Sequence, residues 1–473
     1  MRAFFRMTPM AVLFILQIAL AQVSYEQYFT NATLRIDYFH HGTSSMQSYS
    51  LDQVFQEGPW PGNSNALIDT MNLGSSLFKV FDLKTNRLIY SHGFSTIFHE
   101  WQTTDEAQQQ IQRTISETVR CPMPRRPVQM VIATRDRQNH FIDRFSAVID
   151  PQSRFVNREI KKLPFETRAI MKNGDSNDKV DLAILGDGYS KNDLEKYRQD
   201  VQRYTAALFQ IEPFKSHQKA FNIWSVAVIS QDTGIDQPRQ NSWKNTVLGT
   251  SYNSFDSQRY ILSLSNQQIR DVAALVPYEA ILILINSDVY GGGGIYNCYA
   301  TSYTLSKGAA EDWSEYVFVH EFGHHFAGLG DEYYTSDVAY NEFYPTDVEP
   351  WEPNVSPLLD PAKPKWGRLI KPGTPLPTPW QKAEYDSLSI AFRNLKKDDP
   401  NYHKTFQEIR DRMDSILHTP DLMNVVGFYQ GSGYASTGLY RPALDCIMFS
   451  RTTAGFCPVC RDAIERMIKF LTQ

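Results

Sequence analysis

The chain has 473 residues, 42% of them hydrophobic and 21% charged, which is ordinary globular composition with apolar material for two or three cores. Its formal net charge is −5 with no block of like charges, which excludes the basic footprint of a nucleic-acid binder and a polybasic membrane patch. Peptides, proteins and small molecules remain as partners.

At the start, Arg2 and Arg6 precede an apolar stretch from about Met10 to Leu20 that closes on Ala19-Leu20-Ala21, the small-x-small form of a signal-peptidase site. Residues 1–21 therefore read as a signal peptide, and the mature chain as exported: secreted, periplasmic or cell-surface. The run is short for a bilayer span and Gln17 interrupts it, and no later segment reaches transmembrane length. Five cysteines (Cys121, Cys298, Cys446, Cys457, Cys460) are too few for a disulfide scaffold but suit one or two bridges in an exported chain.

Residues 22–160 show short β-rich runs broken by turn residues: Thr33 to Phe39, Ser76 to Asp82, Pro127 to Thr134 and Phe141 to Ile149. Several alternate apolar with polar residues, the mark of strands with one buried face, and predict an all-β sandwich. From residue 161 to 473 the pattern becomes α/β. The apolar strand Val180 to Leu185 precedes a helix over about 192–209, and further apolar strands near 221–229 and 280–285 predict central positions in a sheet. Ten of the chain's 25 prolines fall between Pro345 and Pro379, with Trp351, Trp366 and Trp380 nearby, so an insertion near 345–380 cannot be regular helix or sheet, and its tryptophans argue that it packs on the domain. Helices resume over Tyr402 to Leu417 and from Pro458 to Leu471.

The decisive segment runs from Glu315 to Tyr334 and contains His320-Glu321-Phe-Gly-His324, an HExxH pattern. On a helix, positions i and i+4 share a face, so the two imidazoles can converge on one Zn2+ while Glu321 stands beside it as general base. Zinc needs a third protein ligand. Gly328 can end the helix in a left-handed conformation and turn the chain back, which brings Asp331 to the metal. Glu332 is its rival.

HExxH followed by a glycine and a third ligand resembles the metzincin pattern, HExxHxxGxxH, with two departures: Ala327 occupies the usual glycine position, and an aspartate replaces the third histidine. Both departures match the IgA peptidase family of bacterial zinc metallopeptidases, whose motif resembles HEFGHxFxGLxDEY and fits His320 to Tyr333 almost letter for letter. The resemblance implies an α/β metzincin-like metallopeptidase domain behind the N-terminal β-sandwich. It also implies a secreted endopeptidase that hydrolyses peptide bonds of peptide or protein substrates by metal-activated water, host proteins such as immunoglobulins among them. Metal ligands His320, His324 and Asp331 and catalytic Glu321 follow from the motif.

Such sites carry a methionine on a tight turn beneath the metal, and Met448 is the candidate. Gly433-Tyr434, Gly438 to Pro442, Cys446 and Phe456 to Cys460 also resemble the family's C-terminal region. Cys457-x-x-Cys460 could be half a zinc site, but with no second CxxC it reads as part of a structural disulfide, with Cys446 as a partner. Gly291 to Gly294 suggests an edge strand to which an extended peptide could add, or an ordinary loop. Tyr434 or Tyr440 could donate a hydrogen bond to the oxyanion. Asp187, in an Asp-Gly turn after a strand, carries no chemistry in this reading. The alternative function is an exported surface-binding protein that uses its β domain, with a secondary or non-peptidase zinc hydrolase site. Oligomeric state is not legible.

Overall fold

The computed structural model describes residues 23–305, 313–335, 343–396, 398, 400–451 and 455–473. Residues 1–21, where a signal peptide is expected, lie outside the described residues.

The N-terminal region holds eight strands: β1 (Phe29–Gly42), β2 (Gln47–Glu57), β3 (Ser76–Asp82), β4 (Arg87–Phe94), β5 (Arg113–Pro124), β6 (Val128–Arg135), β7 (Phe141–Ile149) and β8 (Val156–Asn157). They form two four-stranded sheets, in the orders β5-β1-β2-β8 and β4-β3-β6-β7. Along β3, burial alternates residue by residue, as its period-two pattern requires. Leu34, Ile36 and Tyr38 of one sheet meet Phe78, Val80, Met130 and Ile132 of the other in a single core. Three short helical turns accompany these strands, α1 (Tyr25–Tyr28), α2 (Ile97–Trp101) and α3 (Asp105–Gln108).

The second region is mixed α/β. Its main sheet takes β9 (Glu166–Met171), β10 (Val180–Asp187), β11 (Phe221–Ala227), β14 (Ala280–Ile285), β15 (Gly292–Ile295) and β16 (Tyr299–Tyr303), in the order β15-β16-β14-β10-β11-β9. The short strands β12 (Thr250–Ser251) and β13 (Leu262–Ser263) pair apart from it. β11, β10, β14 and β16 run parallel, and the two outer strands are antiparallel to their neighbours. Every residue of β10 and β14 is buried, because helices cover both faces. One face carries α4 (Leu194–Leu208), α6 (Ser314–Ala327) and α9 (Pro458–Thr472), through Tyr204, Phe318, Phe322, Phe326, Ile464 and others. The opposite face carries α5 (Asn266–Ala273).

The insertion near 345–380 is irregular apart from one 3-10 turn at Gly367–Leu369. Its tryptophans are tied down. Trp366 stacks on Phe428 at 4.2 Å and donates to the Gly427 carbonyl at 2.8 Å, and Trp380 donates to Gln430 at 3.2 Å. After it come α7 (Lys382–Arg393), α8 (Tyr402–Leu417) and a hairpin of β17 (Tyr429–Ser432) and β18 (Ala435–Arg441). Among the described residues no helix is long and apolar enough to cross a membrane.

The expected disulfides are absent. All five cysteines are free thiols, and the Cys446 and Cys460 sulfurs stand 3.8 Å apart, well beyond the roughly 2.05 Å of an S–S bond. Cys446, Cys457, Cys460 and Glu332 instead share one buried space, with their ligand atoms all within 4.8 Å of one another.

The two regions are joined through cores and ion pairs. Ile97, Phe98 and Trp101 of α2 pack with Ala183, Leu185, Ile281 and Ile283 of the main sheet, and not in the core of their own strands. Arg35 of β1, 1% exposed, donates to Asp37 at 2.6 and 2.8 Å and to Asp271 of α5 at 2.8 Å, with Glu57 at 3.4 Å. Arg120 donates to the Tyr278 carbonyl and stacks on its ring at 3.6 Å. Removing Arg35 would strand buried carboxylates without their counter-charge. Arg35→Met is expected to destabilise the fold by about 3–5 kcal/mol, read as a lowered denaturant midpoint; an unchanged midpoint would show that the network contributes nothing net.

Candidate metal centre

α6 carries the HExxH residues against the sheet. Tyr204 of α4 donates to Ser314 Oγ at 2.6 Å at the start of the helix, and Phe318 packs on Tyr204 at 5.3 Å, so the helix is held on its buried side. It ends at Gly328, whose φ of +62° is the left-handed turn expected from sequence. A side chain there would also strike the Trp351 ring, 2.7 Å from where a Cβ would stand. The chain then doubles back and delivers Asp331 to the face of the helix that bears His320 and His324.

Three atoms converge there. His320 Nε2 and His324 Nε2 are 3.1 Å apart, and Asp331 Oδ1 lies 3.1 Å from the first and 3.2 Å from the second. The other ring nitrogens show where one hydrogen of each ring sits. His320 Nδ1 is 3.0 Å from the Ile447 carbonyl and His324 Nδ1 is 2.5 Å from the Leu329 carbonyl. Carbonyls only accept, so both Nδ1 atoms carry hydrogen, and in its neutral form each ring aims an Nε2 lone pair at Asp331. Asp331 Oδ1, 7% exposed as a residue, has no hydrogen-bond partner, while its Oδ2 accepts from the Tyr434 hydroxyl at 2.5 Å. Three electron-rich atoms facing one another in a buried pocket need a cation between them. Ligands about 2.0–2.2 Å from a tetrahedral ion stand about 3.3–3.6 Å from each other, close to the separations here. The donor set fits a metal.

Without a cation, a proton takes its place. Burial alone would lower the His324 pKa, but Asp331, Glu321 and the Leu329 carbonyl outweigh burial and push it up to about 9. Burial likewise opposes ionisation of Asp331, yet the two histidines hold it well below the usual carboxylate range. The neighbouring His325 shows the contrast. Its Nε2 accepts from the Ile281 amide at 3.1 Å, its Nδ1 donates to the Ile295 carbonyl at 3.0 Å, and burial pulls its pKa down to about 4, so it is a neutral structural ring.

Glu321, one residue round the helix, lines the cleft, and burial raises its carboxyl above the ordinary range. It packs under β15. A Cβ on Gly292 would stand 3.0 Å from Glu321 Cγ, and one on Gly294 would stand 2.4 Å from the Glu321 carbonyl oxygen, so the glycine run lets the strand cross directly over α6. β15 is a sheet edge, as one of the two sequence readings has it, but Gly292 already exchanges two 3.1 Å hydrogen bonds with Arg259 and Ile261. That part of the edge is taken.

The cleft measures ≈ 510 Å³ and both regions build it. Ser95, His99, Glu100 and Arg135 come from the N-terminal region, and Arg259, Tyr333 and Tyr434 from the second. Arg259 donates to the Tyr333 hydroxyl at 3.2 Å. Burial raises the Glu100 carboxyl to about 7 while it accepts a short hydrogen bond from Tyr260. None of these N-terminal residues, nor Arg259, carries a local signal in the sequence.

The remaining candidates divide. Met448 is fully buried beneath α6, its sulfur 3.2 Å from where a Cβ on Gly323 would stand, and its carbonyl accepts from the Glu332 amide at 2.8 Å. Glu332 points away from the two histidines, toward Asn354 and Cys460. Tyr434 sits in a two-residue hairpin turn with Gly433, both at positive φ, where its amide clips to the Tyr333 carbonyl and that of Gly433 to Asp331. Its hydroxyl donates to Asp331 Oδ2, which holds that carboxylate in orientation. Tyr440 lies elsewhere, paired with Ser356 and packed on Phe428. Asp187 is satisfied by Thr246, Leu248 and Thr250, a structural use of the carboxylate.

Two family models match. Residues 24–146 match the Peptidase M64 N-terminus and residues 169–468 match IgA Peptidase M64. No curated protein matches the chain. With the HExxH helix, the turned-back aspartate and the family model spanning most of the chain, the protein belongs to the IgA Peptidase M64 family of metallopeptidases.

Proposed function

We propose that the protein is an exported, metzincin-like zinc endopeptidase whose metal is held by His320, His324 and Asp331. The observation that carries the reading is the convergence of three lone-pair donors, two buried and one half-buried, within 3.2 Å of one another, with both Nδ1 atoms already spent on carbonyls. Zinc bound there would act as a Lewis acid toward a peptide carbonyl and acidify water. Glu321 takes a proton from the attacking water and gives it to the departing amine as the C–N bond breaks. Burial strengthens Glu321 as that base. No covalent intermediate with the protein is needed.

The cleft suits a polypeptide. Arg259 offers a cationic donor to substrate carbonyls, and the wall formed by Ser95, His99 and Glu100 makes the N-terminal region part of the active site. That shared wall favours the peptidase over a separate surface-binding module. Extracellular proteins, host immunoglobulins among them, are the substrates such an exported enzyme would meet.

Cleavage of a broad peptide library tests the reading. Glu321→Gln is expected to retain the metal and lose about 10²–10⁴-fold in kcat; cleavage at the wild-type rate would sink the assignment. Tyr434→Phe removes the hydrogen bond that orients Asp331, and metal affinity, measured by competition with a chelator, is expected to fall about 10–100-fold with the fold intact. Loading the metal-free protein must displace the proton that His324 holds below pH 9. Metal affinity is therefore expected to weaken as pH falls from 9, by about tenfold per unit, with about one proton released per metal bound. Titration in two buffers of different ionisation enthalpy reads that proton count, and zero release would contradict the protonated tripod.

A further inference from the structure

Behind the catalytic ligands lies a second group of donors. Glu332, Cys446, Cys457 and Cys460 are all buried, and their four ligand atoms lie within 4.8 Å of one another. Cys446 Sγ and Cys460 Sγ are 3.8 Å apart, and Cys460 Sγ is 3.3 Å from Glu332 Oε1. For a tetrahedral ion with Zn–S bonds of about 2.3 Å, two sulfur ligands stand about 3.8 Å apart and a sulfur and a carboxylate oxygen about 3.6 Å apart. Backbone amides already point at the sulfurs: Cys457 donates to Cys446 Sγ at 3.3 Å, and Cys460 to Cys457 Sγ at 3.5 Å.

The carboxylate is the second observation. Glu332 is fully buried; Asn354 donates to its Oε1 at 2.8 Å, but its Oε2 has no hydrogen-bond partner. A half-satisfied carboxylate among three thiols is costly unless a cation shares the space. Three soft donors and one hard one, all within 4.8 Å of one another and two pairs of them near tetrahedral separations, favour zinc over calcium or magnesium. Arg441, buried in the same core, and the N-terminus of α9, where Cys457 is the cap, offset the negative charge.

We propose that Glu332, Cys446, Cys457 and Cys460 form a second, structural zinc site distinct from the His320–His324–Asp331 centre. Cys457-x-x-Cys460 supplies half of it, and the other half comes from two segments that each adjoin the catalytic site. Glu332 follows Asp331 directly. Cys446 precedes Ile447, whose carbonyl orients His320. One ion would therefore fasten the strap that bears the third catalytic ligand to the turn beneath α6 and to the start of α9.

The test uses the full chain, purified without chelators or added thiols. Wild type is expected to hold about two zinc ions, and His320→Ala/His324→Ala, which leaves the cysteines untouched, about one. Cobalt exchanged into that double variant should show thiolate-to-cobalt charge-transfer absorption. The absorption should disappear when Cys446→Ser is added and persist with Cys121→Ser. One zinc in both wild type and double variant, with the thiolate signature, supports this site and sinks the tripod reading instead. A double variant without zinc, cobalt without thiolate bands, or an intact mass two hydrogens short from a Cys446–Cys460 disulfide would each overturn the proposal.

Discussion

Two imidazole nitrogens and a carboxylate oxygen facing one another in a buried pocket are stable only if every other polar atom of those side chains is spoken for. The surrounding structure largely serves that requirement. Ile447 holds His320, Leu329 holds His324 and Tyr434 holds Asp331, and each partner comes from a different stretch of chain. Those stretches are themselves clipped together, through the Glu332 amide on Met448 and the Gly433 amide on Asp331. A small error in any clip would be passed to these three side chains, because ring orientation is set by the outer nitrogen.

Rigidity comes from the sheet behind. β10 and β14 are buried along their whole length, so α6 rests on a surface that cannot yield without opening both cores. In front, the glycines of β15 let the backbone lie against Glu321 and His324, where any side chain would force the strand away. The N-terminal strands close the other side of the cleft, and α2 is buried in the second region's core. The two regions therefore build the site together.

Identical residue types do opposite work a single position apart. His324 faces Asp331 and is driven to hold a proton or a metal; His325 is satisfied by two backbone groups and stays neutral. Asp331 and Glu332 diverge in the same way, one toward imidazoles and one toward thiols. In an extended segment successive side chains point to opposite sides, so adjacent carboxylates can face two separate groups of donors.

The sequence by itself determined the periodic elements and the local motif. The alternation in β3, the apolar runs of β10 and β14, and the spacing of His320 and His324 depend on neighbours a few residues away, and the helix end at Gly328 follows from one residue's conformational freedom. Only the tertiary structure decided which of Asp331 and Glu332 meets the histidines, since both lie within reach of the turn and the choice rests on Met448, Asn354 and the hairpin that carries Tyr434. It also replaced the expected disulfide with a four-donor cluster, and it brought Glu100 and Arg259 to the cleft. Those contacts join residues far apart in the chain, where no periodicity or spacing carries information and packing alone sets the distance.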